Sequence, residues 1–364
     1  MPDPATADLR HPAAHRPGQA DPDWAAARRV LVVRPDNVGD VLMTGPVFRA
    51  LRAAAPAATL DLLASPAGAA AAALLPEVDG VVTASVSWQQ LDVVAGDDPD
   101  AALVDDLAAR GYDTAVVLTS FSQSPWPAAE VLRRAGVPVR VGMSKEFGGG
   151  LLTHWVPAPP DAEHQVDRML GLLAAVGVPS RGVELAVRIP DDAATPLAVV
   201  GARYAVVAPG ASCPSRRWPA ERFAAVVQGL AEDGLTVVVS GTDREAELVA
   251  AVAGEVGVPI AGGLGLGDLA SLLAGAEVVV ANNSGGVHLA DAVRAPVVEL
   301  FAGTDTVDQY RPRSTRAEVL TRPVACAPCR QLVCPFDQEC LAVTPAEVLA
   351  AARRLRSVAV SVAG

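Results

Sequence analysis

The sequence predicts an α/β protein built from two Rossmann-like, doubly wound domains. Three observations predict it. The chain has 364 residues, 51% of them hydrophobic and only 19% charged, which is enough apolar material for two buried cores. Short Val/Leu/Ala runs alternate with helical patterns throughout, the order expected of parallel sheets covered by helices. The alternation runs twice, interrupted at residues 186–203 by a charged, proline-containing stretch rich in small residues. Ligands of such sheets bind beyond the carboxyl ends of the strands, so two facing domains would place a cleft between them.

The first series opens at residues 29–34 (RVLVVR), a buried strand that runs into a short loop and a helical pattern over 41–54. Strands are expected at 59–64, 80–84 and 114–119, and helices at 101–110, 128–135 and 164–176, the last stopped by Gly177. This gives an N-terminal domain of residues 28–190 and a linker at 191–203. The second series places strands at 204–208, 236–240, 278–281 and 296–301. Its helices are expected at 220–232, 243–253, 268–274 and 284–293, within a domain of residues 204–345. A last helix, 346–357, is expected to cross back to the first domain from the 346–364 segment. Residues 1–27, rich in Pro, Ala, Asp and His, are expected to be a disordered tail.

Composition narrows the function. A formal net charge of −12 disfavours nucleic acid and anionic lipid as partners, because both need a basic surface. No apolar stretch reaches the roughly 18 residues of a membrane span. The tail lacks the continuous apolar core of a secretory signal, so a cytoplasmic location and a monomer are expected.

Three strand-to-helix loops carry candidate chemistry. In the first, Asn37 and Gly39 precede Asp40, which falls in the first helical turn. A carboxylate there can take a proton from an acceptor hydroxyl, or simply complement the helix dipole. In the second, Gly210 and Ser212 let backbone N–H groups approach a phosphate, and Arg216 or Arg217 can meet the charge on a departing diphosphate. The alternative is a surface arginine pair beside a core Trp218. In the third, Asn283 or Ser284 can cap a helix whose free N–H groups at Gly285 and Gly286 form an anion site. His288 follows one turn later, as a ligand contact or a satisfied half-buried histidine. Thr304 and Asp305 follow the next strand and can border the same pocket or form a plain turn.

Four segments in order, VLVVRPDNVGDVLMTGPVFRAL, PGAS with RRWPAERF, DLASLLAGAEVVVANNSGGVHLADA and PVVELFAGTDTVDQYRP, resemble glycosyltransferase family 9, the ADP-heptose:lipopolysaccharide heptosyltransferases. The resemblance covers about residues 30–355 and implies the GT-B fold. It implies an inverting transfer from an ADP-sugar donor that needs no cofactor and no metal. The family's catalytic aspartate corresponds to Asp40, with Asn37 in place of its serine. The family's phosphate-side lysine corresponds to Arg216. Its Asn-Asp-Ser-Gly-Pro helix start corresponds to Asn282, Asn283, Ser284, Gly285 and Gly286, so Asn283 replaces an aspartate and Gly286 a proline. Thr304 and Asp305 are kept.

Lipopolysaccharide acceptors are anionic, yet residues 65–95 carry no Lys or Arg. Arg133, Arg134, Arg140 and Lys145, the single lysine, are the acceptor-side cations left, so a neutral glycan or small natural product fits as well. Cys326, Cys329, Cys334 and Cys340 form C-x2-C-x4-C-x5-C, read here as a loop of reduced thiols, with a disulfide or a zinc or iron–sulfur site as alternatives. Two other readings share the fold: a non-hydrolysing epimerase and a non-catalytic nucleotide-sugar-binding protein. Four motifs in order argue against the first, and Asp40 together with Arg216 argues against the second.

Overall fold

The computed structural model describes residues 20–89, 98–194 and 203–360. The chain divides into two compact units, Met1–Val183 and Glu184–Gly364. Each is built round a six-stranded sheet.

In the first unit the elements run β1 (Arg29–Val33), α1 (Val38–Leu42), α2 (Gly45–Ala54), β2 (Thr59–Ala64), α3 (Ala69–Ala72), β3 (Gly80–Thr83), α4 (Ala101–Arg110), β4 (Thr114–Val117), α5 (Trp126–Arg134), β5 (Val139–Ser144), β6 (His154–Pro157) and α6 (Gln165–Ala174). The strand order is β3-β2-β1-β4-β5-β6, and every pairing is parallel. The central strands are apolar on both faces because helices cover both faces of the sheet. Leu31, Val33, Leu63, Val117 and Leu132 share one core cluster. Burying such side chains stabilises by about 1.5–3 kcal/mol each. The helix expected over 41–54 is two helices: Pro46, in the first turn of α2, has no N–H to offer the preceding turn.

The second unit runs β7 (Tyr204–Ala208), α7 (Ala220–Glu232), β8 (Thr236–Gly241), α8 (Ala246–Ala253), β9 (Val258–Ala261), α9 (Leu266–Ala274), β10 (Val278–Asn282), α10 (Gly285–Ala292), β11 (Val297–Leu300), α11 (Val307–Tyr310), β12 (Ala317–Leu320) and α12 (Pro345–Val360). Its order, β12-β11-β10-β7-β8-β9, repeats the first sheet's pattern, again all parallel. In both sheets the order reverses at one point, between β1 and β4 and between β7 and β10. Doubly wound sheets bind ligands at that switch point, outside the carboxyl ends of the strands. The loops that follow these four strands are therefore where chemistry is expected.

Two expectations are corrected here. Residues 20–27 do not behave as a disordered tail: Trp24 is buried and its Nε1 donates to Val176 O at 2.7 Å, while residues 1–19 lie outside the described residues. The last helix does not leave the second unit. Val348, Ala351, Ala352 and Leu355, spaced on one helical face, sit in that unit's core with Phe223, Val226 and Leu230 of α7. Residues 195–202 of the expected linker lie outside the described residues. No helix among the described residues is long and apolar enough to cross a membrane.

Candidate active site

At the first switch point, β1 is followed directly by Arg34, whose side chain is wholly buried. One terminal nitrogen donates to Asp40 Oδ1 at 2.8 Å and to Ser120 Oγ at 2.8 Å, and Nε lies 2.9 Å from Asp36 Oδ2. Asp40 stands in the first turn of α1, as expected, with about a quarter of its side chain exposed. Asn37 occupies the N-cap in extended conformation, but its side chain makes no capping bond. Burial pushes the Asp36 carboxyl above its ordinary range, with Arg34 pulling down and Asp40 pushing up. The result is a loop that presents one carboxylate, Asp40, on a buried cationic support.

At the second switch point, the loop after β7 is anchored by Trp218. Its ring is buried edge-on against Phe223, with centroids 5.0 Å apart, its backbone N–H donates to Asn282 Oδ1 at 3.1 Å, and Nε1 donates to Val343 O at 3.2 Å. Asn282 Nδ2 donates in turn to Pro209 O at 2.7 Å, which ties the ends of β7 and β10 together. A Cβ on Gly210 would fall 2.2 Å from Glu245 Oε1, so a side chain here would have to displace the Glu245 carboxylate. Arg216 Nε donates to Thr304 Oγ1 at 2.9 Å, and a terminal nitrogen pairs with Asp305, to which Thr304 Oγ1 also donates at 2.8 Å. Arg217 is more exposed and donates to Ala211 O at 3.0 Å. Ser212 is exposed.

The start of α10 departs from expectation in detail. Ser284 occupies the N-cap, but no side chain caps the helix. Asn283 Oδ1 instead accepts from Ala302 N at 3.2 Å, a bond that joins the ends of β10 and β11. Gly285 and Gly286 open the helix partly exposed. His288 is buried, and desolvation lowers its pKa to about 4, so the ring is neutral near pH 7. Behind it, Asp291 accepts backbone N–H bonds from Arg313, Ser314 and Thr315.

Glu299 of β11 is buried close enough to Asp291 to feel its charge, and its Oε2 has no hydrogen-bond partner among the described residues. Desolvation and then Asp291 raise its pKa to about 8. The sign follows from linkage. Between about 4.5 and 8 the unfolded chain is ionised at this glutamate while the folded chain stays protonated, so stability falls as pH rises through that window. His288 acts oppositely between pH 6.5 and about 4, where stability falls as pH drops. The two offset each other below about pH 6.5, leaving a net loss above it. Glu299→Gln keeps the shape and removes the ionisation. It is expected to recover stability on the order of a few kcal/mol at pH 9 and little at pH 5, read by urea unfolding. Parallel pH dependence in the two proteins would contradict this.

Comparison with known proteins decides the family. The model of glycosyltransferase family 9 (heptosyltransferase) matches residues 101–339. The chain belongs to glycosyltransferase family 9. It is 28% identical over 313 residues to lipopolysaccharide heptosyltransferase 2 of Escherichia coli (strain K12), covering 80% of this chain and 87% of that one. Among solved structures, the family 9 glycosyl transferase of Veillonella parvula DSM 2008 superposes with a TM-score of 0.74 at 19% identity, over 93% of this chain and 99% of that one. The E. coli ADP-heptose lps heptosyltransferase II gives 0.72 at 23%, over 91% and 99%. The fold is therefore GT-B, and the protein is a heptosyltransferase-like glycosyltransferase.

Within this glycosyltransferase the cations expected on the acceptor side are less available than the sequence suggests. Arg140 is corrected as a candidate: its guanidinium donates to the carbonyls of Val137, Leu151 and Gly150 and so closes the loop before β6. Lys145 is exposed, in a 2.8 Å ion pair with Asp161, an arrangement that holds it only weakly. Arg133 and Arg134 pair with Glu130 and Asp98. Gly39 is buried beneath the loop.

The cysteine segment supports the second site. Cys329 N donates to Gly303 O at 2.9 Å, Arg330 N to Thr304 O at 3.1 Å, and Ser215 N to Leu332 O at 3.1 Å. None of these four cysteines forms a disulfide, and burial raises the Cys340 pKa. Arg34 and Asp36 are the site residues that sequence reasoning missed; the signal was a charged side chain directly ending the apolar run of β1.

Proposed function

We propose that this family 9 enzyme is an inverting heptosyltransferase. It moves a heptose, or a related sugar, from an ADP-sugar to a hydroxyl of a glycan or small natural product, with Asp40 as general base. The observation that carries the reading is complementary chemistry at the two switch points: a half-buried carboxylate on a buried arginine at one, and Arg216 beside a glycine-opened helix at the other. Asp40 takes the acceptor proton as the hydroxyl oxygen attacks the anomeric carbon opposite the diphosphate. The bond from that carbon to the diphosphate oxygen breaks, and ADP leaves. Arg216 and the N–H groups of Ser284, Gly285 and Gly286 meet the negative charge that grows on the leaving group. These groups do the work a divalent cation would otherwise do, so the transfer needs no metal. Gly210, Ser212, Arg217, Asn283, His288, Thr304 and Asp305 complete the donor side, with His288 neutral.

The ADP-sugar donor is supported by the E. coli relative, described as an ADP-heptose enzyme. The neutral acceptor is supported by the bonded Arg140 and the net charge of −12. The test is nucleoside diphosphate release from ADP-heptose and from a panel of UDP- and GDP-sugars, with and without glycan acceptors. Acceptor-dependent ADP release is expected. Isomerisation of the donor without release would make the protein an epimerase, and binding without either would make it a sugar-nucleotide-binding protein.

A further inference from the structure

Asp40 is not held in place by its own helix, which is five residues long. It is held by Arg34, and Arg34 is divided between two carboxylates. Its Nε lies 2.9 Å from Asp36 Oδ2, and a terminal nitrogen donates to Asp40 Oδ1 at 2.8 Å. Asp36 gathers the neighbouring loops. Its Oδ1 accepts from Gln89 Nε2 at 3.0 Å, beyond β3, and from Gln123 Nε2 at 2.7 Å, beyond β4. Its main-chain carbonyl accepts from Ser65 Oγ at 2.7 Å, beyond β2. Gln123 Oε1 accepts from Ser120 N at 2.8 Å, and Ser120 Oγ accepts from the same Arg34 nitrogen that holds Asp40. A Cβ on Gly68 would fall 2.7 Å from Asp36 O and 2.8 Å from Val41 Cγ2, so the loop after β2 packs directly against this centre. Four strand ends of the first sheet therefore converge on one aspartate and one arginine.

We infer that Arg34 and Asp36 are positioning residues for sugar transfer: Arg34 aims the Asp40 carboxylate, and Asp36 draws off part of the arginine's charge and fixes it to the surrounding loops. The inference rests on the reading of Asp40 as general base. The chemical logic concerns basicity. A guanidinium devoted to a single carboxylate orients it well but weakens it as a proton acceptor. Sharing the cation with Asp36 keeps the orientation and divides its positive charge between two carboxylates. Such an arrangement needs both carboxylates, and the second stands two positions after Arg34.

Among the described residues, the charged side chains seen against Asp40 are Arg34, directly after β1, and Asp36, from the loop. Their removal should act in opposite directions. The experiment measures ADP release from ADP-heptose against pH, in water and with an accelerating glycan, for wild type, Asp36→Asn, Arg34→Lys, Arg34→Gln and Asp40→Asn. Asp36→Asn leaves Arg34 to Asp40 alone. Its kcat should fall roughly 10- to 100-fold through lost basicity and aim, with the donor KM unchanged and the acid limb of the profile moved to lower pH. Arg34→Gln removes the cation beside Asp40 and should move that limb to higher pH. Arg34→Lys keeps the charge without the fork, so its limb should stay near wild type with part of the kcat retained. If Arg34→Gln does not fold, Asp36→Asn and Arg34→Lys still decide the matter. An inactive Asp40→Asn with unmoved acid limbs in the other variants, and kcat losses that track only the folded fraction, would overturn the positioning role while sparing the base. A fully active Asp40→Asn would overturn both.

Discussion

Asp40→Asn is expected to lower turnover by about 10²–10⁴-fold while donor affinity changes little. An acceptor hydroxyl has a pKa far above neutral, so its oxygen attacks well only if a base removes the proton as the new bond forms. Asp40 stands in the first turn of α1, on a buried guanidinium that holds one of its oxygens at 2.8 Å, and that work is the role proposed for it. Asparagine keeps an oxygen for that hydrogen bond, so the loop is expected to keep its shape. What it removes is the capacity to accept a proton. The check is kcat and donor KM by ADP release, beside direct binding of ADP to the variant. Turnover near wild type would exclude Asp40 as the base, and a collapse of donor binding with intact chemistry would reassign it to the donor side.

Arg216→Ala is expected to lower turnover by roughly 10²–10³-fold and to weaken donor binding as well. Charge on the diphosphate grows as the sugar departs, so a cation there stabilises the transition state more than the ground state. In the structure Arg216 is already oriented, with Nε on Thr304 and a terminal nitrogen on Asp305. The aspartate holds the guanidinium in place, so a donor phosphate bound there is expected to share it with Asp305. Arg216→Lys restores a point charge without the planar fork and should recover part of the loss. Single-turnover ADP release separates the two effects: the chemical step should slow at saturating donor. A variant that binds donor weakly but reacts at the wild-type rate when saturated would confine Arg216 to binding.

Much of this was readable from the chain. β7 and α7 fall at residues 204–208 and 220–232, where the sequence places them, because a continuous apolar run ends at a loop and Pro219 opens the helix. The strands that escaped are β5, β6, β9 and β12. β6, β9 and β12 are short and lie at sheet edges, with Pro157 and Pro259 among their residues, and β5 carries Arg140 and Gly142. Edge strands tolerate such residues, since one side needs no partner, and so they lose the apolar signature. The place of Asp40 in the first helical turn was legible from local spacing, while its reading as a base came from the family resemblance. The Arg34–Asp36 centre was not, because its partners are distant: Gln123 is 87 positions from Asp36, and Ser120 is 86 from Arg34. Asn283 illustrates the same limit. Its place in a glycine-rich loop suggested a helix cap, whereas the fold uses its oxygen to bind Ala302 N on the neighbouring strand end.

The most direct test of the account is the anomeric configuration of the transferred sugar, read by NMR coupling constants in the product formed from ADP-heptose of known configuration. A single displacement, with Asp40 removing the acceptor proton and ADP leaving from the opposite face, predicts a product of inverted configuration. A product that retains the donor's configuration would require two displacements or attack from the leaving-group face, and would contradict the role assigned to Asp40.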